Sequence, residues 1–278
     1  MCRGGQRKWA EIQAGHEHLL SYAVQSRNRS VLQMVEDAVA HRQVLLAYQP
    51  VVQALRPDVP AFYEGLIRVQ DEAGRIIPAR EFIDAIEETE TGRALDCLAL
   101  DMGLKELAAV PGLRLSINMS ARSIGYARWM RVLKRGLERD PTVAERLILE
   151  ITEASTMLVP ELVQSFMSTL AAKGISFALD DFGAGHTSLR YLRNFLFDMM
   201  KIDGQFIRGI HANADNQVLT RALVAIAQQF DMFTVAEFVE HEADAAFLAH
   251  IGVDCLQGYY YGAPTVHPEW ERGIRASA

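Results

Sequence analysis

Short apolar runs alternate with stretches of helical periodicity along most of this chain. Strand-like runs fall at 44–52, 62–69, 113–119, 147–152, 176–181, 199–203, 233–239 and 255–261. Helical stretches lie between most of them, at 80–88, 94–109, 124–139, 160–173, 216–229 and 241–250. Eight strands alternating with helices predict an α/β fold, a (β/α)8 barrel rather than an open sheet. The first connection departs from that plan. About nine residues, around ALRPDVPAF, separate the first two strands, too few for the crossover helix of a parallel pair. The first strand is therefore predicted to run antiparallel to the second. Upstream, Ser30 and Gln33 have capping-box spacing, and Val31, Met34, Val35 and Ala38 recur at helical intervals. That pattern predicts a helix docked on the main body, behind a polar, basic lead-in (Arg3, Arg7, Lys8, Arg27, Arg29). No Pro-, Gly- or Ser-rich linker divides the chain. The expected division is a tail and helix over 1–43, the barrel over 44–270 and a short tail over 271–278.

The stretch ISFALDDFGAGHTSL (175–189) is a short apolar strand ending in two adjacent carboxylates, Asp180 and Asp181. Neighbouring strand residues point to opposite faces, so both can face one site only if the strand stops between them. Gly183 and Gly185 make a turn there sterically cheap. A lone pair of aspartates in a turn is ordinarily solvated. Here other strands end in the same way: Glu64 in FYEGLIR, Asn118 in LSINMS, Glu150 in LILEITE, Lys201 in MMKID, Glu237 in TVAEFVE and Gln257 in CLQGYYY. By strand parity these residues share a face with Ser116, Ile148, Ala178, Val235 and Cys255. Their alternates Leu115, Leu149, Leu179 and Ala236 would face the helices. That end of a barrel is where active sites are built. Five carboxylates in one mouth would repel and shift upward in pKa unless cations lay among them. Oxygen donors without His or Cys select hard cations such as Mg2+ or Mn2+, and the number of carboxylates suffices for two ions.

Composition narrows the chemistry further. A net charge of −7 argues against polymeric nucleic acid as a partner. Cys2, Cys97 and Cys255 have no pairing or metal-ligand spacing, which fits a reducing compartment. The eight histidines form no HExxH pattern. No apolar run approaches the ~20 residues of a membrane span and the N-terminus lacks a signal-peptide core, so a cytoplasmic protein without membrane insertion is expected. The arginines Arg128, Arg131, Arg135 and Arg139 read as a solvated helix face.

FYEGLIR, SINMSA, LEITE, LDDFGAGHTSL, KID, VAEFVE and QGYYYGAP, in this order, resemble the EAL-domain family of bacterial cyclic di-GMP phosphodiesterases over roughly residues 44–268. The resemblance implies a modified TIM barrel with an antiparallel first strand, agreeing with the short first connection. It implies that Glu64, Asn118, Glu150 and Asp180 bind one divalent cation, and that Asp180, Asp181 and Glu237 bind a second. Lys201 would position the attacking water or the phosphate, Arg68 would grip a phosphate oxygen, and Gln49 would contact a guanine. Leu66, Asp198 and Gln257 complete the implied substrate-binding set, while Glu153 and Glu240 would tie down loops beside the ligands. Cyclic di-GMP would open to linear pGpG. A homodimer follows by family analogy, and residues 1–43 are available to a protein partner. Departures stand out too. Gly65 occupies the usual Ala of the name-giving motif, and Phe238 follows Glu237 where Gly is usual. Ala184, His186 and Thr187 alter the loop after the fifth strand, and Leu196 replaces a common Pro. These leave room for a second expectation, a receptor that binds the dinucleotide with little or no hydrolysis.

Overall fold

The computed structural model describes residues 29–157, 159–183, 192 and 195–270. Its strands are β1 (Val44–Gln53), β2 (Arg56–Gln70), β3 (Ile76–Pro78), β4 (Leu115–Asn118), β5 (Leu147–Thr152), β6 (Ser176–Phe182), β7 (Met199–Ile202), β8 (Phe233–Ala236) and β9 (Cys255–Gln257). They form one sheet in the order β1-β9-β8-β7-β6-β5-β4-β2-β3, and pairing of β1 with β2 closes eight of them into a barrel. β1 is antiparallel to both neighbours, while the remaining barrel pairs are parallel. This is a TIM-type barrel with its first strand reversed, as the short first connection requires. The connection is tighter than the sequence suggests. Gln53 pairs with Arg56, so only Ala54 and Leu55 turn the chain, and the exposed residues from Arg56 onward lengthen β2 into a hairpin arm. β3, which no pattern announced, adds antiparallel to the far end of β2.

Residues 29–40 are helical (α1). The later helices are α2 (Ile83–Ile86), α3 (Glu90–Ala109), α4 (Ala127–Arg139), α5 (Glu153–Thr156), α6 (Pro160–Ala171), α7 (Gly204–Ile207), α8 (Ala214–Gln229) and α9 (Glu242–His250). Two expectations need correction. Ser30 lies inside α1 rather than at its cap, and the Gln33 amide donates to Asp37 Oδ1 at 3.1 Å instead. The predicted helix over 80–88 is broken into a 3-10 turn, Ala79–Glu81, and α2. It breaks because Thr89 starts a new helix: its hydroxyl accepts from Gly92 N at 3.3 Å and caps α3. At the other end of α3, Arg146 Nη1 donates to the carbonyls of Leu107, Val110 and Leu113 at 2.7, 3.1 and 3.2 Å, satisfying groups that a helix end leaves open. The readings for 1–28, for Ala184, Gly185, His186 and Thr187, and for 271–278 lie outside the described residues.

Strand parity separates two cores. Val51, Phe62, Ile148, Ala178 and Val235, with Met199 and Cys255 against them, fill the barrel interior as an apolar floor. Leu115, Leu149, Leu179 and Ala236 belong to the larger core between strands and helices. β5, LILEIT, is buried along nearly its whole length, as a parallel strand covered on both faces must be. α1 packs through Val35 and Ala38 on a third cluster with Val44, Val69, Ile77, Phe82, Ile86 and Leu95. Among the described residues no helix is long and apolar enough to cross a membrane.

Candidate active site

Above the apolar floor the inward positions turn polar. Glu64, Glu150, Asp180, Glu237, Lys201, Gln49 and Gln257 are all buried, and they come from β1, β2, β5, β6, β7, β9 and the end of β8. Lys201, 1% exposed, lies at their centre. Its Nζ stands 2.6 Å from Glu150 Oε2, 2.9 Å from Asp180 Oδ1, 2.9 Å from Glu237 Oε1 and 3.4 Å from Glu64 Oε2. Glu64 also accepts from Asn118 Nδ2 at 2.8 Å and from Gln257 Nε2 at 2.6 Å.

Local chain geometry explains how adjacent aspartates share this mouth. β6 does not stop at Asp180, as the sequence led us to expect, but continues to Phe182. Its register with β7 shifts between Leu179 and Phe182, the mark of a bulge with one extra residue. Asp181 takes that extra place at φ 54, a left-handed conformation that aspartate tolerates, and Gly183 follows at φ 95. The i+3 spacing of Glu150 and Glu153 also has a structural reason. β5 passes directly into α5, Thr152 caps that helix by accepting from Ser155 N at 3.2 Å, and Glu153 becomes its first residue. Glu153 Oε2 accepts from Gly183 N at 2.8 Å, so it holds the chain just beyond the bulge. Glu240 sits differently. It is exposed and stands 3.9 Å from Arg208 Nε, a surface pair outside the mouth.

The electrostatics follow from burial against charge. Desolvation raises Glu237 to about 8, with Asp180 and Glu64 adding to it and Lys201 opposing. Desolvation, Glu64 and Asp180 push Glu150 well above the usual carboxylate range. Partial desolvation and the Asp180 charge bring Asp181 up to about 6. Burial works against the Glu64 charge as well, but Lys201 and the hydrogen bonds from Gln257 and Asn118 outweigh it and lower its pKa. Burial disfavours the Lys201 ammonium, yet the surrounding carboxylates hold its pKa well above the ordinary value. Five carboxylates thus face one ammonium, an imbalance that divalent cations would correct. The donors fit such ions. Asp180, Asp181 and Glu237 each place a ligand oxygen within 4.8 Å of the others. Glu150 Oε1 is buried without a hydrogen-bond partner. All candidate ligands are oxygens.

The implied substrate-binding residues divide. Gln49 lies opposite Glu64 in the β1–β2 ladder; its Nε2 donates to Gly262 O at 3.0 Å and its Oε1 accepts from Gln257 at 3.2 Å. Leu66 and Arg68 continue the Glu64 face of β2 toward the rim and are half-buried. Burial and the nearby Arg80 guanidinium lower the Arg68 pKa. Asp198 is not brought to the mouth. It precedes β7 at the opposite end of that strand, and its Oδ2 accepts from Phe177 N at 2.7 Å near the start of β6. The sequence reading also passed over the supports of Asn118. Asp96 Oδ2 on α3 accepts from Ser120 N at 3.1 Å and Ser123 Oγ at 2.6 Å, and Ser155 Oγ on α5 accepts from Ala121 N at 2.9 Å. No spacing marks such long-range pairs.

Two departures acquire a physical account. At Gly65 an added Cβ would lie 2.7 Å from Ile117 Cδ1, and at Gly103 it would lie 2.9 Å from the same atom. Ile117 therefore fills the volume left by the missing methyl. Phe238 adopts φ 55, packs over Gly204 and carries the Arg208 guanidinium 4.2 Å from its ring centroid.

Comparison with known proteins places this geometry. The EAL domain model matches residues 32–264. The chain is 29% identical over 239 residues to cyclic di-GMP phosphodiesterase PdeF of Escherichia coli, covering 84% of this chain and 32% of that protein. It is 30% identical over 242 residues to the bifunctional diguanylate cyclase/cyclic di-GMP phosphodiesterase MucR of Pseudomonas aeruginosa, covering 84% of this chain and 35% of that protein. Against probable cyclic di-GMP phosphodiesterase PdeN of Escherichia coli it is 30% identical over 264 residues, covering 92% of this chain and 50% of that protein. The chain thus spans a third to a half of the length of these relatives. Among solved structures, the PaMucR phosphodiesterase in complex with c-di-GMP superposes with TM-score 0.77 at 29% identity, covering 87% of this chain and 99% of that one. An EAL domain protein from Listeria monocytogenes EGD-e gives 0.75 at 27% identity, covering 88% and 97%. With its reversed first strand, its acidic mouth and a family match over most of its length, this chain belongs to the EAL-domain family.

Proposed function

We propose that this protein is a metal-dependent phosphodiesterase that hydrolyses cyclic di-GMP to linear pGpG. The observation that supports it is the convergence of Glu64, Glu150, Asp180, Asp181 and Glu237 with Lys201 at the C-terminal mouth of the barrel, in a family whose relatives are named for that activity. Glu64, Asn118, Glu150 and Asp180 would hold one Mg2+ or Mn2+, and Asp180, Asp181 and Glu237 the other. When bound, the cations supply charge neutralisation at the phosphoryl group and a water of lowered pKa. The protein's own groups do the rest. Arg68 binds a phosphate oxygen from the rim, and Lys201 stabilises the negative charge that develops on the phosphoryl oxygens. In the overall reaction the bond from phosphorus to a ribose 3′-oxygen breaks and a bond to the water oxygen forms. One water proton ends on the 3′-hydroxyl and the other is released. Gln257 holds Glu64 in place and Gln49 orients Gln257, so Gln49 reaches a guanine only by giving up part of that network. By family analogy the protein works as a cytoplasmic homodimer on the free dinucleotide, with residues 1–43 open to a protein partner.

Incubation of purified protein with cyclic di-GMP and Mg2+ or Mn2+, followed by chromatography, should yield pGpG, and Glu64→Ala should abolish it. Persistence of hydrolysis in that variant would refute the site. The left-handed Phe238 beside Glu237 favours a second reading, a binding module with weak turnover. Tight cyclic di-GMP binding without pGpG would select it.

A further inference from the structure

Lys201 occupies an unusual place for a group that only greets a substrate. Its side chain is 1% exposed, and its ammonium touches Glu150, Asp180 and Glu237 at 2.6–2.9 Å, with Glu64 at 3.4 Å. These side chains come from β2, β5, β6 and the end of β8, so the contacts span the barrel interior rather than one edge. The carboxylates that Nζ approaches are also ones that the proposed metal centre would use. A buried ammonium and a divalent cation cannot each hold the full set. From this geometry we infer that Lys201 is a tethered counter-ion that shares the carboxylate ring with the divalent cations. It offsets part of the ring's negative charge in their absence and must be drawn aside when they enter.

The inference rests on the reading of the ring as a metal centre and adds a dependence that the reading does not contain. Two consequences oppose each other. Removing the ammonium should leave mutually repelling buried carboxylates and weaken the fold when divalent cations are chelated. Removing it should also free the oxygens and abolish repulsion between the ammonium and an incoming cation, so metal affinity should rise. A lysine that only positions substrate predicts neither. A lysine that only packs the interior predicts a loss of stability that metal cannot restore.

The test is calorimetric titration of Mn2+ into wild type and Lys201→Met, with thermal unfolding of both in EDTA and in Mn2+. The methionine keeps most of the side-chain length and removes the charge. Lys201→Met should melt lower than wild type in EDTA, gain more from Mn2+ than wild type does, and bind Mn2+ at least about tenfold more tightly, about 1.4 kcal/mol. Should the variant be unfolded in EDTA, recovery of the fold in Mn2+ supports the inference, while failure to fold in either condition overturns it. The double variant Glu150→Gln/Lys201→Met, which removes the closest carboxylate with the ammonium, should melt above Lys201→Met in EDTA. Equal or weaker Mn2+ binding by a folded Lys201→Met overturns the inference and leaves the metal reading standing. No Mn2+ binding by wild type or variant removes the metal reading itself.

Discussion

Phe238 lies at φ 55, where a bulky side chain is strained by about 1–3 kcal/mol, and the residue is 44% exposed, so burial offsets little of that cost. The Arg208 guanidinium over the ring returns about 0.5–1 kcal/mol. Phe238→Asn, which suits left-handed backbone, should therefore raise stability by about 1 kcal/mol, visible as a higher urea midpoint. An unchanged or lower midpoint would mean that the ring's packing on Gly204 outweighs the strain. At Gly65 the balance runs the other way. Alanine there puts its methyl against Ile117 Cδ1, the movable end of a side chain, so Gly65→Ala should cost about 1–3 kcal/mol by overpacking. Ile117→Val alone should cost about 0.5–1.5 kcal/mol by leaving a void. Together the two changes should cost less than their sum, and strict additivity in the double-mutant cycle would refute the shared volume. Gly65 and Phe238 could be singled out from the sequence, but their consequences could not. Whether a missing methyl leaves slack depends on Ile117 from another strand, which no local pattern reveals.

The elements that shape the mouth were legible wherever one physical rule dominates. Inward parity and the abrupt loss of hydrophobicity at strand ends identify Glu64, Glu150, Asp180 and Glu237, because a strand's two faces meet different surroundings. The bulge in β6 was not legible: DD followed by FG permits either a strand end or a bulge, and pairing with β7 decides between them. Asp198 misled for a related reason. Its nearness in sequence to Lys201 hides the length of β7, which puts the two at opposite ends of one strand. Asp96 shows the cost of a support that crosses elements. Burial raises its carboxyl to about 6 despite the hydrogen bonds it accepts from Ser123 and Ser120. The folded protein then retains a proton that the unfolded chain has already released, and stability falls as pH rises from about 4 to about 6. Asp96→Asn keeps an acceptor for the turn after β4 and removes this titration. Its stability relative to wild type should rise across that window by up to about 2–3 kcal/mol, as read from urea midpoints at successive pH values. Parallel profiles for the two proteins would show that Asp96 does not titrate in this range.

At the scale of the whole molecule, closure of the barrel depends on its one reversed strand. β1 joins β2 along a long antiparallel ladder but meets β9 through only Val51, Val52 and Gln53. The chain beyond β9 reinforces that weaker side. Tyr48 and Thr265 exchange backbone hydrogen bonds at 2.8 and 3.1 Å, Gln49 donates to Gly262 O, and Trp270 Nε1 donates to Glu106 Oε1 on α3 at 2.7 Å. The Trp270 ring also stands edge-on to Tyr48 and Tyr63, at centroid separations of 5.2 and 4.7 Å, and so ties β1, β2 and α3 together. The seam ends at Gln49 and Gln257, which support Glu64, so loosening it should reach the carboxylate ring. Trp270→Ala removes a partly buried indole and two aromatic contacts, and should cost about 2–3 kcal/mol. Amide exchange should then quicken first in residues 44–49 and 255–257, while β5 and β6 on the far side keep their protection. A uniform increase around the barrel would mean that Trp270 supports global stability without any special hold on the seam. If exchange quickens only along β1 and β9, the last described turn of the chain is what keeps Gln257 against Glu64.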